Sequence, residues 1–276
     1  MQAARHTSGA FRDVKAFPGR RDVATVLAFE AAGHGPDPAI VVLHGWPLNR
    51  SIWSEIGPRI AAPGYRVLVP DLPGCGDSPT IEFARATVEA YADELARFLD
   101  AFGPRRFAIA GHSFGGYVAL ALAERRPDLV AALGLVASRT TADSEAARAG
   151  RRETIGKVRA SGTSVLLPGL AEKLVGPAAA PQWRERATLL IQRARPDGVA
   201  SGLAAMAARP DRTAMFESFP GPRLVVHGTA DALIAVSEAA PAPIRAILPD
   251  VGHMPMWEAP EATAVAILAW AKSILA

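Results

Sequence analysis

The chain has 276 residues, of which 50% are hydrophobic and 21% are charged, and its formal net charge is +3. This balance is typical of a globular protein with a sizeable core, and it excludes a disordered or collagen-like chain. Because the arginines form short scattered pairs rather than one basic face, the sequence argues against nucleic acid as the partner and favours a small molecule.

The first half of the chain alternates short apolar segments with helical patterns. Residues 1–18 mix charges with no continuous apolar stretch, so we expect no signal peptide. Residues 23–30, followed by Gly33-His34-Gly35-Pro36, are a candidate for an antiparallel strand and turn. Apolar runs then predict parallel strands covered on both faces and joined by crossover helices. In chain order these are strands 40–43 and 66–69, helix 87–102, strand 107–110, helix 114–126 and strand 133–136.

The second half begins with a segment that has no strand signal. Between Ser138 and about Phe219 we expect helices over 143–160, 181–194 and 197–208, with breaks at Pro168-Gly169 and Gly176-Pro177. Strand 224–227 and, after Pro260, helix 261–275 follow. The predicted fold class is α/β, with a core formed by residues 1–138 and 216–276 and a helical cap, or lid, formed by residues 139–215.

Cysteine content and hydropathy indicate a soluble protein of a reducing compartment. Cys75 is the only cysteine, which rules out an intrachain disulfide and zinc sites built on cysteine pairs. No apolar run reaches the roughly 18 residues that indicate a membrane span. We therefore predict a cytoplasmic protein that has no membrane partner, and the sequence leaves its oligomeric state open.

The segment Gly111-His112-Ser113-Phe114-Gly115 directly follows an apolar strand and opens a helix. The pentapeptide alone is common, but strand, tight turn and helix together are typical of a nucleophile elbow that projects the serine. The helix N-terminus adds unpaired N–H groups and a positive partial charge beside it. We interpret Ser113 as a nucleophile; the alternative is a glycine-rich turn with an incidental serine.

A serine nucleophile needs a general base, and the base needs an acid that orients it. In this kind of fold the chain order is serine, then Asp or Glu, then histidine. His253 lies in a late loop before the terminal helix, and Asp231 lies in the loop after strand 224–227. Asp143 is the alternative acid, whereas Glu258 is expected to cap the last helix.

Two backbone N–H groups are predicted to hold the developing oxyanion. One belongs to Phe114, which follows the nucleophile. The other belongs to Trp46 in the loop His44-Gly45-Trp46-Pro47, because Gly45 permits a sharp turn and Pro47 has no N–H. The Trp46 and His112 side chains are candidates for substrate binding, against the simpler interpretation that both only pack.

Five segments in this order resemble the landmarks of the α/β-hydrolase superfamily. The loop at 44–47 is similar to that of carboxylesterases, 3-oxoadipate enol-lactonases and cofactor-free haloperoxidases or perhydrolases. The resemblance implies an eight-stranded, mostly parallel sheet, a cap after the sixth strand, and no metal or organic cofactor. The segments are His44-Gly45-Trp46-Pro47, Asp71-Leu72-Pro73-Gly74-Cys75-Gly76-Asp77-Ser78, Gly111-His112-Ser113-Phe114-Gly115-Gly116, His227-Gly228-Thr229-Ala230-Asp231 and Gly252-His253.

One stretch departs from the pattern of this family. The interval between Asp231 and His253 contains Pro241 and Pro243 and is shorter than is usual there. It predicts a trimmed helix before a last strand over 245–248, which would leave the loops of the acid and the base less well supported.

Together these features predict a serine-dependent hydrolase that cleaves a small-molecule carboxylic ester or lactone through an acyl-enzyme on Ser113. A perhydrolase or cofactor-free haloperoxidase would use the same three residues, with hydrogen peroxide in place of water. A hydroxynitrile lyase or a C–C bond hydrolase is a more distant alternative. A small-ligand receptor on the same fold, without turnover, is the alternative outside enzymes.

Overall fold

A seven-stranded sheet forms the centre of the protein in the computed structural model, which describes residues 27–35, 38–103 and 105–274. The strand order is β1-β3-β2-β4-β5-β6-β7, and only β1 runs antiparallel to its neighbour, β3. The strands are β1 (Phe29–Ala32), β2 (Ala39–Leu43), β3 (Val67–Pro70), β4 (Phe107–His112), β5 (Val130–Val136), β6 (Arg223–Gly228) and β7 (Ile244–Leu248).

The strands predicted from apolar runs are confirmed, with small changes at their ends. β2, β3 and β4 are buried along their whole length, which explains why their sequences lack an alternating polar pattern. The antiparallel strand is confirmed over Phe29–Ala32, whereas residues 23–26 and Pro36 of that prediction lie outside the described residues. The described residues form seven strands, against the eight that the resemblance implied.

The helices follow the predicted alternation with the strands. The Thr87 hydroxyl caps the second of them by accepting the N–H of Ala90 at 3.1 Å. The helices are α1 (Gly57–Ala61), α2 (Val88–Asp100), α3 (Phe114–Arg125), α4 (Glu145–Ser161), α5 (Leu167–Leu174), α6 (Pro181–Arg193), α7 (Pro196–Ala208), α8 (Thr213–Ser218), α9 (Pro255–Glu258) and α10 (Pro260–Lys272).

Helices α4 to α8 occupy the interval between β5 and β6, where the strand signal is absent from the sequence. Pro168 and Gly169 depart from helical geometry inside α5, and α5 ends before Gly176-Pro177, so both predicted breaks are confirmed. The helical segment extends to Ser218, three residues beyond the predicted boundary at 215. That this segment acts as a lid stays a prediction. No helix in the described part of the chain is long and apolar enough to cross a membrane.

The loops after β6 and β7 are held together directly by hydrogen bonds. The stretch between Asp231 and His253 contains only a short 3-10 turn before β7, so the trimmed helix is confirmed. The N–H groups of Thr229 and Ala230 donate to the carbonyls of Leu248 and Val251, each at 2.9 Å. These bonds join the loop of Asp231 to the loop that precedes His253.

Candidate active site

Ser113 occupies a strained turn between β4 and α3. Its backbone has φ 49° and ψ −114°, a conformation that costs a non-glycine residue about 1–3 kcal/mol. The surrounding structure fixes it, because the Ser113 N–H donates to Val136 and the Ser138 hydroxyl donates to the Ser113 carbonyl, at 2.9 and 2.8 Å. Ser113 is half-buried, whereas His112 and Phe114 on either side are fully buried. The turn therefore projects this one side chain from the core, as the elbow motif predicts.

His253 and Asp231 meet as the sequence order predicts. Nδ1 of His253 lies 2.7 Å from Oδ2 of Asp231, and Oδ1 of Asp231 accepts the N–H groups of Leu233 and Ile234 at 2.8 and 3.0 Å. A carboxylate only accepts hydrogen bonds, so Nδ1 carries the proton and Nε2 is the basic nitrogen. Nε2 of His253 makes no hydrogen bond to any residue that the structure describes.

His112 links the Ser113 turn to the loop that contains His253. Nε2–H of His112 donates to the backbone carbonyl of His253 at 2.8 Å, and the two imidazole rings lie 4.9 Å apart. Within the described residues, Ser113 Oγ and His253 make no hydrogen bond with each other. Such bonds are often long in the absence of substrate and shorten in the reacting complex.

Asp143, the alternative acid, lies in a different environment. Its carboxylate is fully buried among three arginines and lies 2.8 Å from Nη1 of Arg209 and 3.0 Å from Nη2 of Arg139. Burial alone would raise the pKa of this carboxyl, but Arg151 and Arg209 lower it. The geometry therefore pairs Asp231 with His253 and Asp143 with the arginines.

The loop at Gly45 and Trp46 packs directly on the Ser113 turn. His44 fixes the loop, because its Nε2 accepts the N–H of Leu72 at 2.8 Å and its Nδ1–H donates to the Gly45 carbonyl at 3.0 Å. In the described chain the Trp46 N–H donates to no other residue. Phe114 is the first residue of α3, so its N–H has no partner within the helix. Within the ranges that the structure describes, two backbone donors thus stay unpaired beside Ser113.

Comparison of the chain with known proteins identifies its family. Residues 38–260 match the sequence profile described as alpha/beta hydrolase fold. The chain belongs to the α/β-hydrolase family. The solved structure of a thermophilic esterase from Thermogutta terrifontis has a TM-score of 0.83 and 34% identity, over 90% of this chain and 93% of that chain.

Two relatives of this hydrolase have names that state different activities. A pimeloyl-[acyl-carrier protein] methyl ester esterase of Aromatoleum aromaticum is 31% identical over 251 residues, which cover 83% of this chain and 96% of the relative. A dihydrolipoyllysine-residue acetyltransferase component of the acetoin cleaving system of Pseudomonas putida is 32% identical over 249 residues. That match covers 84% of the hydrolase but only 63% of the relative.

The environment of Asp231 sets how this pair depends on pH. Burial alone would raise its pKa, but His253, His227 and the N–H of Ile234 together hold the pKa well below its usual range. A depressed pKa in the folded state contributes stability that is present above the unfolded value of about 3.9 and is lost as the pH falls below it. We expect the difference in unfolding free energy between wild type and Asp231→Asn to shrink between about pH 5 and pH 3. Urea denaturation at several pH values measures this difference; a constant difference would contradict it.

Gly45 is required by the close approach of the loop to the elbow. A β-carbon on Gly45 would lie 2.5 Å from Nδ1 of His112 and 3.1 Å from Cβ of Ser113. If the Trp46 N–H is the predicted oxyanion donor, we expect Gly45→Ala to displace it and to lower kcat by about 10²-fold. The control is Gly150→Ala in α4, because a β-carbon on Gly150 would have no neighbouring atom within 4 Å. Gly103 is less suitable as a control position, since its φ of 86° would strain an alanine. Equal kcat values for Gly45→Ala and Gly150→Ala would show that the loop does not contribute in this way.

The Trp46 and His112 side chains both contact protein groups. The Trp46 indole donates to the Val199 carbonyl of α7 at 3.0 Å and is half-buried. The His112 ring is fully buried, and burial lowers its pKa well below the usual value, so the imidazole is neutral. Its Nδ1 has no hydrogen-bond partner among the described residues. Substrate contact by either side chain stays a prediction, and the burial of His112 disfavours it for that residue.

The prediction for Glu258 is wrong. This residue does not cap α10, whose first turn follows Ala259 without a side-chain hydrogen bond. Its carboxylate instead accepts N–H groups from Gly252, Met254 and Gly176. The sequence indicates only that Glu258 is near His253, because it follows His253 by five positions. Spacing along the chain does not reveal which backbone groups the folded loop brings to its carboxylate.

No group of three or more His, Cys, Asp or Glu side chains in the described part of the hydrolase is arranged to hold a metal ion. Cys75 is buried, and this burial raises the pKa of its thiol to about 12. The thiol is therefore protonated near neutral pH, which disfavours Cys75 as a nucleophile.

Proposed function

We propose that this hydrolase cleaves a small-molecule carboxylic ester or lactone by acyl transfer through Ser113. The observation that carries the proposal is the 2.7 Å contact between Nδ1 of His253 and Oδ2 of Asp231, in loops that adjoin the Ser113 elbow. It leaves the opposite nitrogen of His253 free to act as a base, which a hydroxyl nucleophile requires.

In the first step Nε2 of His253 takes the proton of Ser113 Oγ, which attacks the carbonyl carbon of the ester. The N–H groups of Trp46 and Phe114 donate to the oxyanion that forms. When the tetrahedral intermediate collapses, His253 gives the proton to the leaving alcohol, and the acyl group remains on Ser113. In the second step His253 deprotonates a water, the water attacks the acyl carbon, and the proton returns to Ser113 as the acid leaves.

Asp231 serves this mechanism without being protonated. It holds the His253 tautomer in which Nδ1 carries the proton, and it stabilises the imidazolium formed in each step. The bonds from Leu233 and Ile234 to the other carboxylate oxygen fix its orientation. The pKa of Asp231, held well below its usual range, is consistent with a group that stays ionised through the cycle.

The names of the relatives support the ester as substrate class. The structure from Thermogutta terrifontis is called an esterase, and the relative from Aromatoleum aromaticum is called a methyl ester esterase. The hydrogen bond from the Trp46 indole to α7 joins the Trp46 loop to the helical segment. We therefore propose that helices α4 to α8 act as a lid and contribute to the choice of ester.

The proposal is tested with p-nitrophenyl acetate and a fluorophosphonate probe. We expect wild-type protein to release p-nitrophenol and to carry a single phosphonate adduct on Ser113, located by peptide mass spectrometry. An adduct on another residue would contradict the assignment. Adding hydrogen peroxide and a short carboxylic acid distinguishes peracid formation from hydrolysis. Tight ester binding with neither turnover nor adduct would instead support a receptor.

A further inference from the structure

Glu258 contacts the backbone on both sides of the proposed base. It ends α9, the single turn that follows the His253 loop. Its Oε2 accepts the N–H of Gly252 at 3.0 Å, and its Oε1 accepts the N–H of Met254 at 3.2 Å. One carboxylate thus holds the two residues that flank His253, and charge-assisted bonds of this kind are stronger than neutral ones.

The same carboxylate also binds the helical segment that precedes β6. Oε2 of Glu258 accepts the N–H of Gly176 at 2.8 Å, in the turn between α5 and α6. The two backbones touch here, because a β-carbon on Gly252 would lie 2.1 Å from the Gly176 nitrogen. In the described ranges, the hydrogen-bond partners of the Glu258 carboxylate are all backbone N–H groups.

A second contact lies nearby and joins α9 to the helical segment. The rings of Trp257 in α9 and Trp183 in α6 stack with centroids 5.6 Å apart. The Trp257 indole donates to the Ile52 carbonyl at 3.0 Å, so α9 is anchored to the core as well. Helix α9, which begins two residues after His253, therefore contacts both α6 and the turn between α5 and α6.

We infer that Glu258 is a positioning residue for His253, and that through Gly176 it makes the position of the base depend on the docking of α5 and α6. The inference rests on the proposed function, in which His253 is the general base. Substrate or a partner that shifts α5 and α6 would then alter the base itself and not only access to the site.

Kinetics test the first part of this inference. We expect Glu258→Ala to lower kcat for p-nitrophenyl acetate by about 10- to 100-fold, because small displacements of a reacting group have effects of this size. KM is expected to change by less than about threefold, since Glu258 does not contact the reacting carbonyl. Glu258→Gln retains one acceptor oxygen and is expected to fall between wild type and Glu258→Ala. Each rate is divided by the concentration of active sites, which is measured as the amount of fluorophosphonate bound when labelling is complete.

The matched control is Glu261→Ala, three residues further along the chain. Glu261 has a side chain that is 79% exposed, and its ion pair with Arg59 lies on the surface. We expect its kcat to stay within about twofold of wild type, as for most surface substitutions. If Glu258→Ala fails to fold, Glu258→Gln carries the test alone. A kcat for the folded Glu258 variants equal to that of Glu261→Ala would overturn the inference.

Hydrogen exchange tests the second part. We expect the peptides that contain Gly176 and Gly252-His253-Met254 to exchange faster together in Glu258→Ala and to be unchanged in Glu261→Ala. Faster exchange in the His253 loop alone would overturn the coupling to α5 and α6. Wild-type protein that neither turns over ester nor takes up the probe would overturn the proposed function, whereas the exchange result does not depend on activity.

Discussion

Replacing Ser113 with alanine is expected to lower p-nitrophenyl acetate turnover by about 10⁴-fold or more and to abolish the phosphonate adduct. The hydroxyl is the atom that the proposed mechanism bonds to the acyl group, and removing a serine nucleophile elsewhere costs about this much. The residual rate would come from the Trp46 and Phe114 donors, which remain in place. Stopped assays with purified variant measure the loss.

Ser273→Ala is the control for this substitution. Ser273 likewise is a serine, but it lies at the end of α10, where its hydroxyl donates to the Trp270 carbonyl at 2.7 Å. We expect its turnover to match wild type. If Ser113→Ala kept more than about a tenth of wild-type activity, far above what loss of a nucleophile allows, acyl transfer through Ser113 would be excluded.

The parts of the candidate site that could be predicted are those whose sequence signals lie in neighbouring residues. The Ser113 elbow combines an apolar strand, a glycine-rich turn and an Ala- and Leu-rich helix within about twenty residues of sequence, and each signal is local. Asp231 could be predicted because loops at the carboxyl ends of parallel strands meet at one edge of the sheet. Chain order then selects His253.

Contacts between distant loops carry no such local signal. His112 reaches the His253 carbonyl across 141 positions, and Glu258 reaches Gly176 across 82. Their partners are backbone groups, which every residue offers, so side-chain identity alone does not specify them. Arg209 likewise reaches the Asp143 carboxylate across 66 positions, from the residue that follows α7.

Asp231→Asn is expected to lose activity but not the fold, whereas Asp143→Asn is expected to lose stability but little activity. This difference decides which of the two carboxylates orients His253. Asparagine at 231 keeps the shape but offers a neutral amide to Nδ1, which favours the wrong tautomer of His253. An Asp→Asn change at this position of a triad lowers kcat by about 10⁴-fold. We therefore expect Asp231→Asn to lose activity by about that factor while the chain stays folded, as circular dichroism and active-site titration would show.

Asp143→Asn removes a charge from a site where Arg209 is only 2% exposed and lies 2.8 Å from the carboxylate. A buried charge that loses its partner destabilises a fold by about 3 kcal/mol or more. Urea denaturation should therefore show a clear loss of stability, while kcat per titrated site changes by less than about tenfold because the His253 pair is untouched. If the 10⁴-fold loss of activity appeared in Asp143→Asn instead, the acid would be Asp143, and the 2.7 Å contact of Asp231 with His253 would not be the catalytic one.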